Sequence, residues 1–233
     1  MHISNEHDFA RWAKTLPPHL RKRASAIIAI RAAARVFPLL AHELRLADEP
    51  EQKEAAANSN VLPAVLYLQR AYSSEQNRER YAPYNHYRFA SAYPEHTASS
   101  TFRVTWAAQA AAEVSSFTER AYVSSVRAAS SAIERSVSAA ASIRRVLARQ
   151  AILQAEADIQ FFIDSKFNLE ALFHEQLWTN SEARVDFDRF WNELRSYLIN
   201  IDNNWVVWTD WYDGIFRGYI PYNVSLSVYK KNN

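Results

Sequence analysis

Residues 107–142 read AAQAAAEVSSFTERAYVSSVRAASSAIERSVSAAAS, and between Pro94 and Gly214 the chain contains neither proline nor glycine. Alanine gives up no side-chain entropy on entering a helix, and the two strongest helix breakers are missing, so the stretch predicts long helix. Ala110, Val114, Phe117, Ala121, Val126, Ala129, Ile133, Val137, Ala140, Ile143 and Leu147 recur at steps near three and four residues, a seam suited to antiparallel or coiled packing. Unbroken from 101 to 164, such a helix would extend about 95 Å at about 1.5 Å per residue, too long for a compact domain of this size. A break is therefore expected near Ser115 and Ser116 or near Ser124 and Ser125.

Small side chains let backbones approach closely, so the neighbours must supply bulk. Two sets do so: Phe161, Phe162, Phe167, Leu169, Leu172, Phe173, Leu177 and Trp178, then Phe187, Phe190, Trp191, Leu194, Tyr197, Leu198 and Ile201. The second set has helical spacing, with Asp186 or Asp188 near the positive end of the helix dipole. Upstream, Asn5 is a plausible cap for a short helix over 6–16 that places Phe9, Trp12, Ala13 and Leu16 on one face. Pro18 opens a longer helix carrying Leu20, Ala24, Ile27, Ile28 and Ala34, which Pro38 kinks or ends. Residues 48–60 read as a polar linker or frayed helix start, and 61–72 as a helix with Pro63 in its first turn. The tail after Gly218 alternates Val224, Leu226 and Val228 with Ser225, Ser227 and Tyr229, which reads as a strand for a partner or as a loose end. The expectation is an all-α fold: a helical bundle of long Ala/Ser-rich helices packed against aromatic-rich helices, with one domain over 1–218 and an extended tail over 219–233.

The 233 residues are 48% hydrophobic, enough for a sizeable core, and contain no cysteine, so disulfides, thiolate metal sites and cysteine nucleophiles are excluded. That fits a cytoplasmic location. The only two glycines are Gly214 and Gly218. Without glycine, glycine-rich phosphate loops and nucleophile elbows are hard to build. The apolar stretch 24–41 is interrupted by Arg31, Arg35 and Pro38, so a membrane-spanning helix is not expected, nor is a cleaved signal over 1–15. Net charge is +2, but residues 1–150 hold 20 Lys/Arg against 13 Asp/Glu and residues 151–233 hold 7 against 12, giving +7 and −5. Such polarity either closes the molecule on itself or drives head-to-tail association.

Several motifs invite chemical readings. Arg11, Lys14, Arg21, Lys22, Arg23, Arg31 and Arg35 form a basic amphipathic stretch suited to an anionic membrane, to phosphates, or simply to solvent. Tyr81, Tyr84, Tyr87, Phe89 and Tyr93 alternate with Arg78, Arg80 and Arg88, as in a stacking platform for single-stranded nucleic acid or a loop pinned to the bundle. His42 and Glu43 begin a zinc-protease motif that Leu46 leaves without its second histidine. Glu170, His174 and Glu175 lack the further ligands a di-iron site needs, and His86 and His96 have no identifiable partner. Asp210 and Asp213 read as a solvated face beside Arg217. No catalytic, cofactor-binding or metal-binding residues are expected.

The segment NNWVVWTDWYDGIFRG (203–218) spaces Trp205, Trp208, Trp211, Tyr212 and Phe216 at helical steps, between possible capping asparagines and a C-terminal glycine. Together with Arg217 these residues read either as core anchors or as a partner-binding surface, because Trp, Tyr and Arg are enriched at interface hot spots. RASAIIAIRAAARVFPLL (23–40), the alanine-rich middle and NWVVWTDWYDGIFRG (204–218) together resemble an uncharacterised family of bacterial helical proteins with an alanine-rich body and a Trp-x-x-Trp-Thr-x-Trp-Tyr ending. The resemblance covers most of the chain in layout, and its specificity lies in the ending. It implies a bacterial origin and a recurrent module, often followed by further sequence, and it implies no chemistry. The expected function is a non-enzymatic interaction or scaffold module that binds a protein partner or itself as a homo-oligomer. The alternatives are a membrane-active effector using the basic N-terminal helix and nucleic-acid binding through the Tyr/Arg loop.

Overall fold

The computed structural model describes residues 6–76, 100–116, 122–179 and 181–218. Among them the fold is an all-α bundle with no strand. The Tyr/Arg loop with His86 and His96, the alternating tail, Asn5, Phe117 and Ala121 lie outside the described residues.

Helix α1 (Glu6–Thr15) buries Phe9, Trp12 and Ala13, with Leu16 just beyond it, the face expected from their spacing. Helix α2 (Pro18–Val36) starts with proline in its first turn, where a missing N–H costs nothing, and is continuously buried from Ala24 onward. It is the axis of the bundle, packed against α1, α5 (Leu62–Gln76), α6 (Ser100–Ser116), α7 (Tyr122–Ile143), α8 (Arg145–Asp164) and α9 (Leu169–His174). Pro38 converts the chain to a 3-10 turn (Phe37–Leu40) before α3 (Ala41–Leu46). Pro38 has no N–H to give Ala34, whose carbonyl instead accepts from the Phe37 N–H and from the Tyr212 hydroxyl at 2.7 Å.

The alanine-rich seam is buried as expected at Ala110, Val114, Val126, Ala129, Ile133, Ala140 and Leu147. α6 and α7 pack on each other and on α2, so small residues line the closest approaches. Aromatic bulk gathers around the C-terminal end of α2. There Phe37, Trp191 and Tyr212 stack within 6.4 Å of one another, supplied by the 3-10 turn, α10 (Ser181–Ile201) and α11 (Val206–Arg217).

The breaks differ in part from expectation. The described part of α6 reaches Ser116 and α7 begins at Tyr122, the residues between them lying outside the described set, and α7 runs straight through Ser124 and Ser125. A second break falls at Arg144, a single extended residue (φ −153°, ψ 137°), after which α8 begins at once. Nothing local marks it, so tertiary packing overrides helix propensity there. Residues 48–60 are also more helical than a linker: α4 (Pro50–Ala56) runs through a π-helical turn (Ala57–Val61) into α5. The Leu62 N–H reaches back five residues to the Ala57 carbonyl. This wider turn precedes Pro63, whose ring would crowd the carbonyl four residues back in a regular helix.

Positive φ occurs where glycine is missing as well as where it is present. Lys166 (φ 56°) and Phe167 (φ 63°) close α8, with the Phe167 N–H bonded to the Phe162 carbonyl at 2.8 Å. Gly218 (φ 81°) ends α11 in the left-handed conformation, and a Cβ there would stand 2.6 Å from the His174 carbonyl oxygen. The α11 segment is capped by Asp202, which accepts from the Asn204 N–H at 2.9 Å, rather than by the asparagines.

Candidate functional site

The most unusual chemistry in the fold is at its centre. Arg31 and Arg35, one turn apart on α2, are 0% and 1% exposed, and Asp158 on α8 is 2% exposed. One oxygen of Asp158 accepts from Arg31 Nη2 at 3.0 Å and from Arg35 Nη2 at 2.6 Å. The same arginines take up carbonyls of the segment after α9. Arg31 donates to Leu172 at 2.9 Å, Glu175 at 2.5 Å and Gln176 at 2.8 Å, and Arg35 Nε donates to Leu177 at 2.6 Å. Gln154, one turn before Asp158, bonds the Thr179 hydroxyl at 2.9 Å, and the Leu177 N–H meets the Phe216 carbonyl at 3.5 Å. Residues 172–179, which leave their helix and so lose intrahelical partners, are thus held from α2, α8 and α11 together.

Two cations share one carboxylate, so the cluster carries a net buried positive charge. Burial pulls the Arg35 guanidinium down to about 10, the neighbouring Asp158 carboxylate opposing that shift, and the group stays charged at neutral pH. The Arg35 guanidinium also lies 5.9 Å over the Trp178 ring, which stacks on Phe187 at 4.0 Å. All three ionised groups are sealed from solvent, so the arrangement orders a loop and offers nothing to a diffusing substrate.

This placement corrects the reading of the basic N-terminal stretch as a single exposed cationic face. Arg31 and Arg35 point into the core. Arg23 pairs with Glu75 at 3.4 Å and with Glu170, and Arg21 bonds the carbonyls of Leu16 at 2.8 Å and Lys14 at 2.9 Å. The segment Pro18–Leu46 is long and apolar enough to cross a membrane, with mean hydropathy 1.6 in its most apolar window, but that window is wholly buried within the fold. Spacing alone could have hinted at the cluster. Two arginines four residues apart interrupt an otherwise apolar run, and Asp158 shares a helical face with Ala151, Ala155 and Phe162.

The six residues expected at a partner surface divide between core and surface. Trp205, Tyr212 and Phe216 are buried, and Tyr212 reaches across to α2. Trp208 and Trp211 are half-buried, Trp211 edge-on to Tyr72 at 5.9 Å, and Arg217 is exposed. Val207, beside them, is 49% exposed. Asp213 is more than a solvated acid: it accepts from the Trp191 indole N–H at 2.7 Å and lies 3.7 Å from Arg217, while Asp210 pairs with Arg195 at 3.4 Å. Glu170 and His174 come within 3.7 Å, but no group of three or more potential metal ligands gathers among the described residues. No family model, curated protein or solved structure matches this chain.

Proposed function

We propose that the chain is a non-enzymatic helical interaction module of the bacterial cytoplasm that binds protein partners and copies of itself, with the outer edge of α11 as a docking surface. The observation that supports this most is the division of α11. Trp205, Tyr212 and Phe216 lock the helix into the core and leave Trp208 and Trp211 half-buried at its edge, with Val207 and Arg217 exposed. A rigid aromatic edge binds without first losing side-chain freedom, and Trp and Arg are the residue types that dominate interface energetics.

Light scattering across a concentration series tests self-association, and pull-down with Trp208→Ala tests the edge. The exposed change Val207→Asp accompanies it, so that loss of capture is distinguished from loss of packing. A monomeric protein whose captured partners are unchanged by both substitutions refutes the reading. Burial of Arg31 and Arg35 and the pairing of Arg23 count against the membrane alternative, and flotation with anionic vesicles at low salt is expected to leave the protein in solution.

A further inference from the structure

Among the described residues, six surface arginines have acids beside them: Arg11 with Asp8, Arg45 with Glu193, Arg184 with Asp188, Arg189 with Asp186, Arg195 with Asp210 and Arg217 with Asp213. Arg144, Arg145 and Arg149 do not. They are exposed, and among the described residues none of their side chains has an ion pair or hydrogen bond. Arg145 and Arg149 line a surface hollow of about 420 Å³ at the junction of α7 and α8, together with Ala141, Ala148, Ile152 and Leu153, and Arg144 precedes them in the chain. Val146 and Leu153 beside it are 51% and 49% exposed.

Elsewhere the surface offers the opposite arrangement. Leu46 ends α3 with 65% of its surface exposed. The turn that follows carries Asp48, Glu49, Glu51 and Glu54, all exposed and none with an ion pair or side-chain hydrogen bond among the described residues. One patch is an apolar hole edged by guanidinium groups and the other an apolar knob edged by carboxylates.

We propose that the hollow between α7 and α8 receives the α3–α4 turn of a second copy, Leu46 entering the apolar floor and the four acids meeting the three arginines. The proposal rests on the self-association reading above and gives it a site separate from α11. Within one copy the patches sit on different parts of the bundle, since α4 packs on α3, α10 and the π-helical turn while α8 packs on α7, α2 and α9. Because the joined surfaces differ, the contact is head to tail and builds rings or open chains.

The test is sedimentation of the full chain with two exposed charge reversals, Arg145→Glu/Arg149→Glu and Glu51→Arg/Glu54→Arg. The parent is expected to assemble with rising concentration. Raising salt from about 0.1 M to about 1 M, which contracts the screening length from about 10 Å to about 3 Å, should weaken that assembly at least about tenfold. Each double variant alone should be monomeric. Mixing the two should restore assembly in which the variants alternate, because the intact knob of one fits the intact hollow of the other and the two reversed patches are again opposite in charge. Combining all four changes in one chain should restore assembly. If the reversals leave assembly intact while Val207→Asp abolishes it, the proposal fails and self-association through α11 stands. A parent that is monomeric at every concentration removes both, and binding only to acidic peptides or anionic vesicles likewise overturns the second-copy assignment.

Discussion

Replacing Asp158 by asparagine keeps the shape of the side chain and an acceptor oxygen but removes the carboxylate that pairs with two buried guanidinium groups. Arg31 and Arg35 are 0% and 1% exposed, so water cannot replace the lost carboxylate. Breaking a buried pair by deleting one partner typically costs about 3–5 kcal/mol. The lower part of that range applies here, because the carbonyls of Leu172, Glu175, Gln176 and Leu177 remain as acceptors for the arginines. A loss of about 3 kcal/mol is a large share of the roughly 5–15 kcal/mol that stabilises a typical domain. At about 2–4 °C per kcal/mol for a chain of this length, the melting temperature should fall by about 6–12 °C. Urea unfolding followed by far-UV circular dichroism measures it, and a loss below about 1 kcal/mol with unchanged denaturant slope refutes the account. A companion variant, Arg31→Met/Asp158→Leu/Arg35→Met, separates ion pairing from loop holding. Apolar replacement of a buried ionic triad is often neutral or stabilising. Here it strands the carbonyls of Glu175, Gln176 and Leu177, while Leu172 keeps the Glu175 N–H, at about 1–3 kcal/mol for each one left buried and unpaired, so the triple variant should stay well below the parent in stability. Parental stability would show that the arginines do not hold the loop.

Tyr212→Phe removes the hydroxyl that bonds the Ala34 carbonyl, which still keeps the Phe37 N–H, so a loss of about 1 kcal/mol at neutral pH is expected by urea titration. Tyr72 and Tyr212 are both held above the ordinary tyrosine value of about 10, chiefly by burial. Their contribution is therefore complete below that pH and is lost as pH rises through the folded-state values, with Arg35 pulling the other way because its lowered pKa relieves a buried charge as pH rises above about 10. Stability measured from pH 8 upward should fall above about pH 10, and less steeply in Tyr212→Phe. Gly218→Ala forces a Cβ to within 2.6 Å of the His174 oxygen at φ 81°, and should cost at least about 2 kcal/mol in a thermal melt.

Local periodicity made much of this fold legible. Phe9, Trp12, Ala13 and Leu16, the α10 set from Phe187 to Leu198, and the α6–α7 seam are faces whose spacing already states which side is buried. What escaped was decided by partners far along the chain. Arg31 and Arg35 sit at a spacing that ordinarily marks a solvated face, and only Asp158, 127 and 123 residues away, together with carbonyls about 140 residues on, brings them inside. The break at Arg144 has no proline, glycine or cap to announce it. On α11 the repeat of Trp and Tyr was legible as one amphipathic set, yet which members face inward depends on where α2 and α10 lie, so Trp205, Tyr212 and Phe216 went to the core while Trp208 and Trp211 stayed at its edge.

The scarcity of glycine connects these outcomes. A chain with only two glycines still needs irregular backbone between its helices, and the segment from Leu172 to Thr179 shows how it is obtained. The carbonyls there are satisfied by two arginine side chains, Thr179 is held by a glutamine, and the next helix is reached without a positive φ in that segment. At the end of α8 the left-handed conformation is imposed instead on Lys166 and Phe167, at about 1–2 kcal/mol for each non-glycine residue. At the end of α11, where the backbone abuts the His174–Gln176 backbone, neither device serves, because any Cβ would strike the His174 carbonyl, and that position is Gly218. The buried arginine pair is therefore best understood as loop-holding machinery in a helical chain, which accounts for its charge at the centre of the bundle without assigning it a substrate.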